Sequence, residues 1–201
     1  MKVLLINPNT TAAMTTQLLA SARAGFEGRM QIEAVTAARG VAVVASRAGY
    51  AVAAQSVLES WAAWREPVDA VVVACFGDPG VAALRELAPV PVYGLAQSTL
   101  QHAGPNPTGY GVVTPGPAWQ PMLDELVATW RLGRNYLGTC AIDATGLGAA
   151  NDPERFRAAM QKAIDDMQAR GAGTVVLGGA ALAGAAGRYA SAARLLDCLE
   201  V

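Results

Sequence analysis

Apolar positions along this chain fall into short unbroken runs separated by longer stretches of helical period. Val3–Ile6 and Val71–Ala74 are continuous apolar runs bounded by turn residues, as in strands covered on both faces. Gln31–Thr36 alternates polar and apolar and reads as a strand nearer a sheet edge. Val90–Gly94, introduced by Pro89 and Pro91, is a further strand. Between these lie helical patterns over Ala12–Ala24, Ala48–Trp64 and Val81–Leu87, with a short helix opened by Gln97-Ser98-Thr99. The pattern then starts again. Gly111–Val113 is a strand ending at Thr114-Pro115-Gly116-Pro117, followed by a helix to Trp130 and a strand over Tyr136–Ile142. Asp152-Pro153 opens an amphipathic helix reaching Arg170, with Phe156, Met160, Ala163, Ile164 and Met167 on one face. Thr174–Leu177 is a buried strand, Ala183–Ala193 a small-residue helix or loop, and Leu195–Cys198 the last strand.

Alternation of strand and helix predicts parallel sheets with helices outside. The halves match in order: Asn7-Pro8-Asn9-Thr10 with Thr114-Pro115-Gly116, the Cys75 strand end with Gly178-Gly179, and Tyr93-Gly94 with Leu196-Asp197. The expected fold is α/β, with two pseudo-symmetric lobes, each a parallel four-stranded sheet flanked by helices, and a cleft between their strand ends. The turn-rich 104–109 segment marks the boundary, giving lobes 1–105 and 106–201.

Composition narrows the function. With 15 basic and 16 acidic residues the net charge is −1, which argues against nucleic acid as a partner. No apolar run spans a membrane, and the chain opens on a strand pattern without a signal peptide, so a cytoplasmic protein is expected. Three widely spaced cysteines (Cys75, Cys140, Cys198) make neither a disulfide framework nor a zinc site. The single histidine, His102, falls in a loop-like stretch, and no nucleophile elbow accompanies it, which sets a serine hydrolase aside.

Cys75 is the chemically informative residue. It ends a buried strand before Phe76-Gly77-Asp78-Pro79-Gly80, with a helix expected from near Pro79. Ligands bind at this edge of open α/β sheets. Amides around Phe76 and Gly77 are placed to hold an anion, and a helix N-terminus would favour thiolate.

Four stretches, in order and nearly spanning the chain, resemble the aspartate/glutamate/hydantoin racemase superfamily and its hydantoin and allantoin racemase branch. They are Ile6–Thr11 followed by Met14-Thr15, Ala74–Gly80, Pro91–Leu95 and Val175–Ala180. The resemblance implies racemisation of a small carbonyl or carboxylate compound of hydantoin, allantoin or amino-acid type, with no metal or cofactor. Two cysteines would transfer protons on opposite faces of the α-carbon. Cys75 matches the first. Asn7, Thr10 and Thr11 match the first-lobe substrate turn, Thr114 and Gly116 the second-lobe turn, and Ala180 flanks the second cysteine's position. That position is Gly179 here. Cys140 is expected in the core, and Cys198, at the end of the last strand, is held in reserve. The missing thiol also fits a single-cysteine malonate-type decarboxylase or an inactive binder. The resemblance implies a terminal helix beyond the last strand; the sequence ends at Val201, leaving a sheet face bare or covered in a homo-oligomer.

Overall fold

The computed structural model describes residues 1–26, 28–144 and 152–199. Glu200 and Val201, on which the expectation about the chain end rests, lie outside the described residues. The chain divides into two compact units, Met1–Ala96 and Gln97–Val201.

In the first unit the strands are β1 (Lys2–Asn7), β2 (Gln31–Thr36), β3 (Ala70–Val73) and β4 (Val92–Gly94), all parallel, in the order β2-β1-β3-β4. The unbroken apolar runs occupy the two central strands, where Leu4, Ile6, Val71 and Val73 are fully buried; the alternating β2 lies at an edge. The helices are α1 (Ala12–Phe26), α2 (Arg47–Ala63) and α3 (Val81–Leu87), and α4 (Leu95–Ala103) starts here. Ser46 caps α2, its Oγ accepting from Gly49 N at 3.1 Å, and α2 buries Ala53 and Val57.

The second unit repeats the arrangement with β5 (Tyr110–Pro115), β6 (Tyr136–Ile142), β7 (Thr174–Leu177) and β8 (Arg194–Asp197) in the order β6-β5-β7-β8. Among the described residues its helices, after α4, are α5 (Trp119–Thr129) and α6 (Pro153–Ala169). Asp152 caps α6 by accepting from Arg155 N at 3.1 Å, with Pro153 at the first helical position where a missing N–H costs nothing. The apolar face of α6 packs Phe156, Met160, Ala163, Ile164 and Met167 onto the sheet. The four larger side chains each contribute up to about 1.5–3 kcal/mol. Gly111 on β5 makes this docking possible, since a Cβ there would lie 2.2 Å from Met167 Sδ.

Several boundaries differ from those read off the pattern. The helix after Cys75 begins at Val81 instead of Pro79, because Asp78 (φ 58°) and Gly80 (φ 76°) are left-handed. The stretch expected as helix or loop over Ala183–Ala193 holds a 3₁₀ turn at Ala186–Arg188, after another at Ala180–Leu182. His102 lies in the last turn of α4, exposed, with Nε2 3.2 Å from Arg194 Nη2. The 104–109 segment, expected as the boundary between lobes, connects α4 to β5.

Candidate functional site

Both sheets end alike at their carboxyl edges. In the first, Ile6 lies opposite Val73, and Ala74 N continues the ladder to Ile6 O at 2.8 Å. In the second, Val113 lies opposite Leu177, and Gly178 N reaches Val113 O at 2.8 Å. Ala74 and Gly178 therefore share a register position, and so do Cys75 and Gly179. The turns that follow also correspond: Asp78 N donates to Cys75 O at 3.0 Å, and Leu182 N to Gly179 O at 2.8 Å. Asn7 and Thr114 each follow the paired residue on the first strand of their sheet.

The Cys75 thiol is buried, at 8% exposure. Burial, and after it the carboxylate of Asp78, push its pKa up to about 12. The expected bias toward thiolate is therefore reversed. The helix that would have supplied it is only seven residues long and starts beyond Gly80. In the ligand-free protein Cys75 therefore rests as the thiol. Phe76 and Gly77 are buried beside it, and Tyr50 Oη of α2 donates to Gly77 O at 2.8 Å.

Asn7, 1% exposed, is held from several sides. Its Nδ2 donates to Asn9 Oδ1 at 3.1 Å and Thr15 Oγ1 at 2.9 Å, while its Oδ1 accepts from Asn9 N at 3.2 Å. The amides of Thr10 and Thr11 donate within the protein, to Val41 O at 3.0 Å and Asn9 Oδ1 at 2.9 Å. Neither amide is a preformed anion donor in this structure. The Thr11 hydroxyl donates to Ala42 O at 2.8 Å.

In the second unit Thr114 is buried and its Oγ1 donates to Pro115 O at 3.4 Å, a weak bond at the end of β5. Gly116 turns at φ 96°, with its N–H on Ile142 O at 3.0 Å. Gly179 has φ 154° and is half-buried, as is Ala180. Cys198 is buried, and its Sγ lies 3.8 Å from Gly179 O, so the reserve thiol stands at the strand end that Gly179 forms. Cys140 is half-buried on the edge strand β6 and packs against the second core.

Sequence reasoning gave no role to Asp78, Tyr50 or Asp197. Asp78 is 5% exposed, and its Oδ1 accepts from Ala96 N at 2.8 Å. Asp197, 1% exposed, accepts from Ala185 N at 2.9 Å and Leu199 N at 3.0 Å. The available signal was an acid placed among turn glycines, Gly77-Asp78-Pro79-Gly80, where a solvated loop needs none. Among the described residues no group of three or more His, Cys, Asp or Glu side chains is gathered as a metal site, and no helix is long and apolar enough to cross a membrane.

Two parallel α/β units of one topology, each presenting a glycine-bordered turn after its third strand, define the class. The chain belongs to the Asp/Glu/hydantoin racemase family, whose profile matches residues 3–201. It is 34% identical over 180 residues to a hydantoin racemase of Rhizobium meliloti, covering 89% of this chain and 75% of that protein. Its structure is similar to an allantoin racemase from Klebsiella pneumoniae, with 31% identity, a TM-score of 0.90, and coverage of 100% of this chain and 83% of that one. An allantoin racemase from Pseudomonas fluorescens superposes with a TM-score of 0.92 at 25% identity, covering 100% of this chain and 86% of that one.

Proposed function

We propose that this protein is a cofactor-independent isomerase that moves a proton at the α-carbon of a small cyclic or acyclic carbonyl compound of hydantoin, allantoin or amino-acid type. Cys75 is the proton-transferring group. Asn7, Thr10, Thr11, Phe76 and Gly77 at the strand ends of the first lobe, and Thr114, Gly116 and Ala180 at those of the second, are the substrate-binding candidates. The observation that carries the reading is the shared register of Cys75 and Gly179 in two sheets of identical order, within a family of racemases. One register position holds a thiol; the other holds a glycine.

A carbon acid beside a carbonyl needs a base on one face and an acid on the other if its configuration is to invert. Cys75 serves one face, taking the α-proton as thiolate and returning a proton as thiol. Gly179 supplies nothing on the other, so inversion is impaired unless another group serves. The same two observations favour a second reading. A single buried thiol suits protonation of the carbanion left when a disubstituted malonate loses carbon dioxide. In that reaction the carbon–carbon bond supplies the electron pair and no base is required.

The test is mass-spectrometric incorporation of solvent deuterium into hydantoins, allantoin and amino acids, with aryl-malonates assayed for carbon dioxide release. The expected result is activity on at least one of these that is lost in Cys75→Ser. Activity on none of them, or activity that persists in Cys75→Ser, overturns the assignment.

A further inference from the structure

The two corresponding turns differ at one buried position. Where the second unit has Leu182, 3% exposed, the first has Asp78, 5% exposed. The fold can fill this place with a hydrocarbon, yet beside the thiol it holds a carboxylate. A buried carboxylate is costly unless well bonded. Its backbone is also left-handed, at φ 58°, a conformation uncommon for a residue with a side chain. The surroundings are shaped to accept it. On β4, opposite Val73, stands Gly94, and a Cβ there would lie 2.1 Å from Asp78 Cγ. The carboxylate thus occupies the space a side chain on β4 would fill, and it takes the Ala96 N–H at the start of α4. In the second unit the corresponding strand position is Asp197, opposite Leu177, and its carboxylate reaches back to the turn at Ala185 N. Each sheet carries one buried carboxylate between the ends of its third and fourth strands. Only in the first unit does it arise from the turn that bears a thiol.

We propose that Asp78 is a positioning residue for Cys75: seated over Gly94 and bonded to Ala96, it fixes the turn that carries the thiol and with it the reactivity of that thiol. This rests on the reading of Cys75 as the proton-transferring group. Among the described residues, the titratable groups that bear on Cys75 are Asp78 on its own turn and Tyr50 of α2, whose hydroxyl pins Gly77 O. Burial contributes most to the thiol's proton affinity and the Asp78 carboxylate adds to it. Removing the carboxylate therefore lowers that affinity without returning it to the ordinary value.

The experiment follows iodoacetamide modification of Cys75 by peptide mapping as a function of pH, on the full chain, and reads the thiol whether or not any substrate is turned over. In the unaltered protein the midpoint is expected well above 10; a midpoint near the ordinary cysteine value of about 8.5 overturns the proposal without any variant. Asp78→Asn tolerates the left-handed backbone and keeps an acceptor for Ala96 N–H while losing the charge. It is expected to speed Cys75 modification at pH 9 by about tenfold or more, which corresponds to one unit of proton affinity. Should this variant not fold, Asp78→Gly, which also suits the backbone, must show the same rise. A variant profile that superimposes on the unaltered one overturns the proposal even if the melting temperature falls, because the carboxylate would then be a brace only. Loss of deuterium exchange with these profiles as expected would refute the function proposed for Cys75 and leave its coupling to Asp78 standing.

Discussion

Gly179→Cys places a thiol at the register position that matches Cys75. The structure sets both its cost and its benefit. A Cβ on Gly179 would meet Pro115 Cδ at 3.5 Å and Leu182 Cδ1 at 3.7 Å, ordinary contacts that need no repacking. The backbone at φ 154° is the obstacle, since side chains rarely adopt it. Holding a cysteine there costs on the order of 1–3 kcal/mol, well inside the roughly 5–15 kcal/mol stability of a typical domain. The variant is therefore expected to fold with a lowered denaturation midpoint. The gain comes from a second group able to move a proton on the face that Cys75 does not reach, worth roughly 10²–10⁴-fold. The assay is chiral chromatography of a substrate that already exchanges its α-proton, run with reductant because Cys198 Sγ lies 3.8 Å from the Gly179 carbonyl. The unaltered protein should exchange one enantiomer with retention and interconvert the two slowly, and Gly179→Cys should raise interconversion by at least about 100-fold. Fast, complete interconversion by the unaltered protein would refute the reasoning if Cys198→Ser left it intact and Gly179→Cys added nothing.

Two further outcomes follow from the buried groups around Cys75. With its pKa raised from 9.0 to about 12 in the folded state, Cys75 stays protonated where the unfolded chain has released the proton, so its contribution to stability is level well below pH 9 and falls as pH rises toward 12. The loss is about 1.4 kcal/mol per pH unit in that window. Urea midpoints between pH 9 and 10 should fall more steeply for the unaltered protein than for Cys75→Ser, in which every tyrosine is kept, and equal slopes would contradict the burial argument. Gly94→Ala drives a methyl into the Asp78 carboxylate and should destabilise by about 1–3 kcal/mol through loss of the buried bond to Ala96. In a double-mutant cycle Asp78→Ala should make that substitution nearly silent, and additive effects would show that the clash is relieved elsewhere.

Much of this protein was legible because its signals are local. Apolar runs against helical periods located the eight strands β1–β8 and their parallel pairing, and Asp152-Pro153 announced α6 through a cap spanning three residues. The Cys75 strand end, too, could be recognised from the glycines and proline that break it. The proton affinity of that thiol could not. It depends on burial and on Asp78, whose own place depends on Gly94 and Ala96, sixteen and eighteen residues further on, brought to it by the pairing of β4 with β3. The Thr10 amide is likewise taken by Val41 O, thirty-one residues away. Cys198 and Gly179, nineteen residues apart, meet only because β8 lies beside β7. Period and capping act over a few residues and are written in order along the chain. Burial, desolvation and the sharing of a backbone N–H act between groups that only the folded chain makes neighbours.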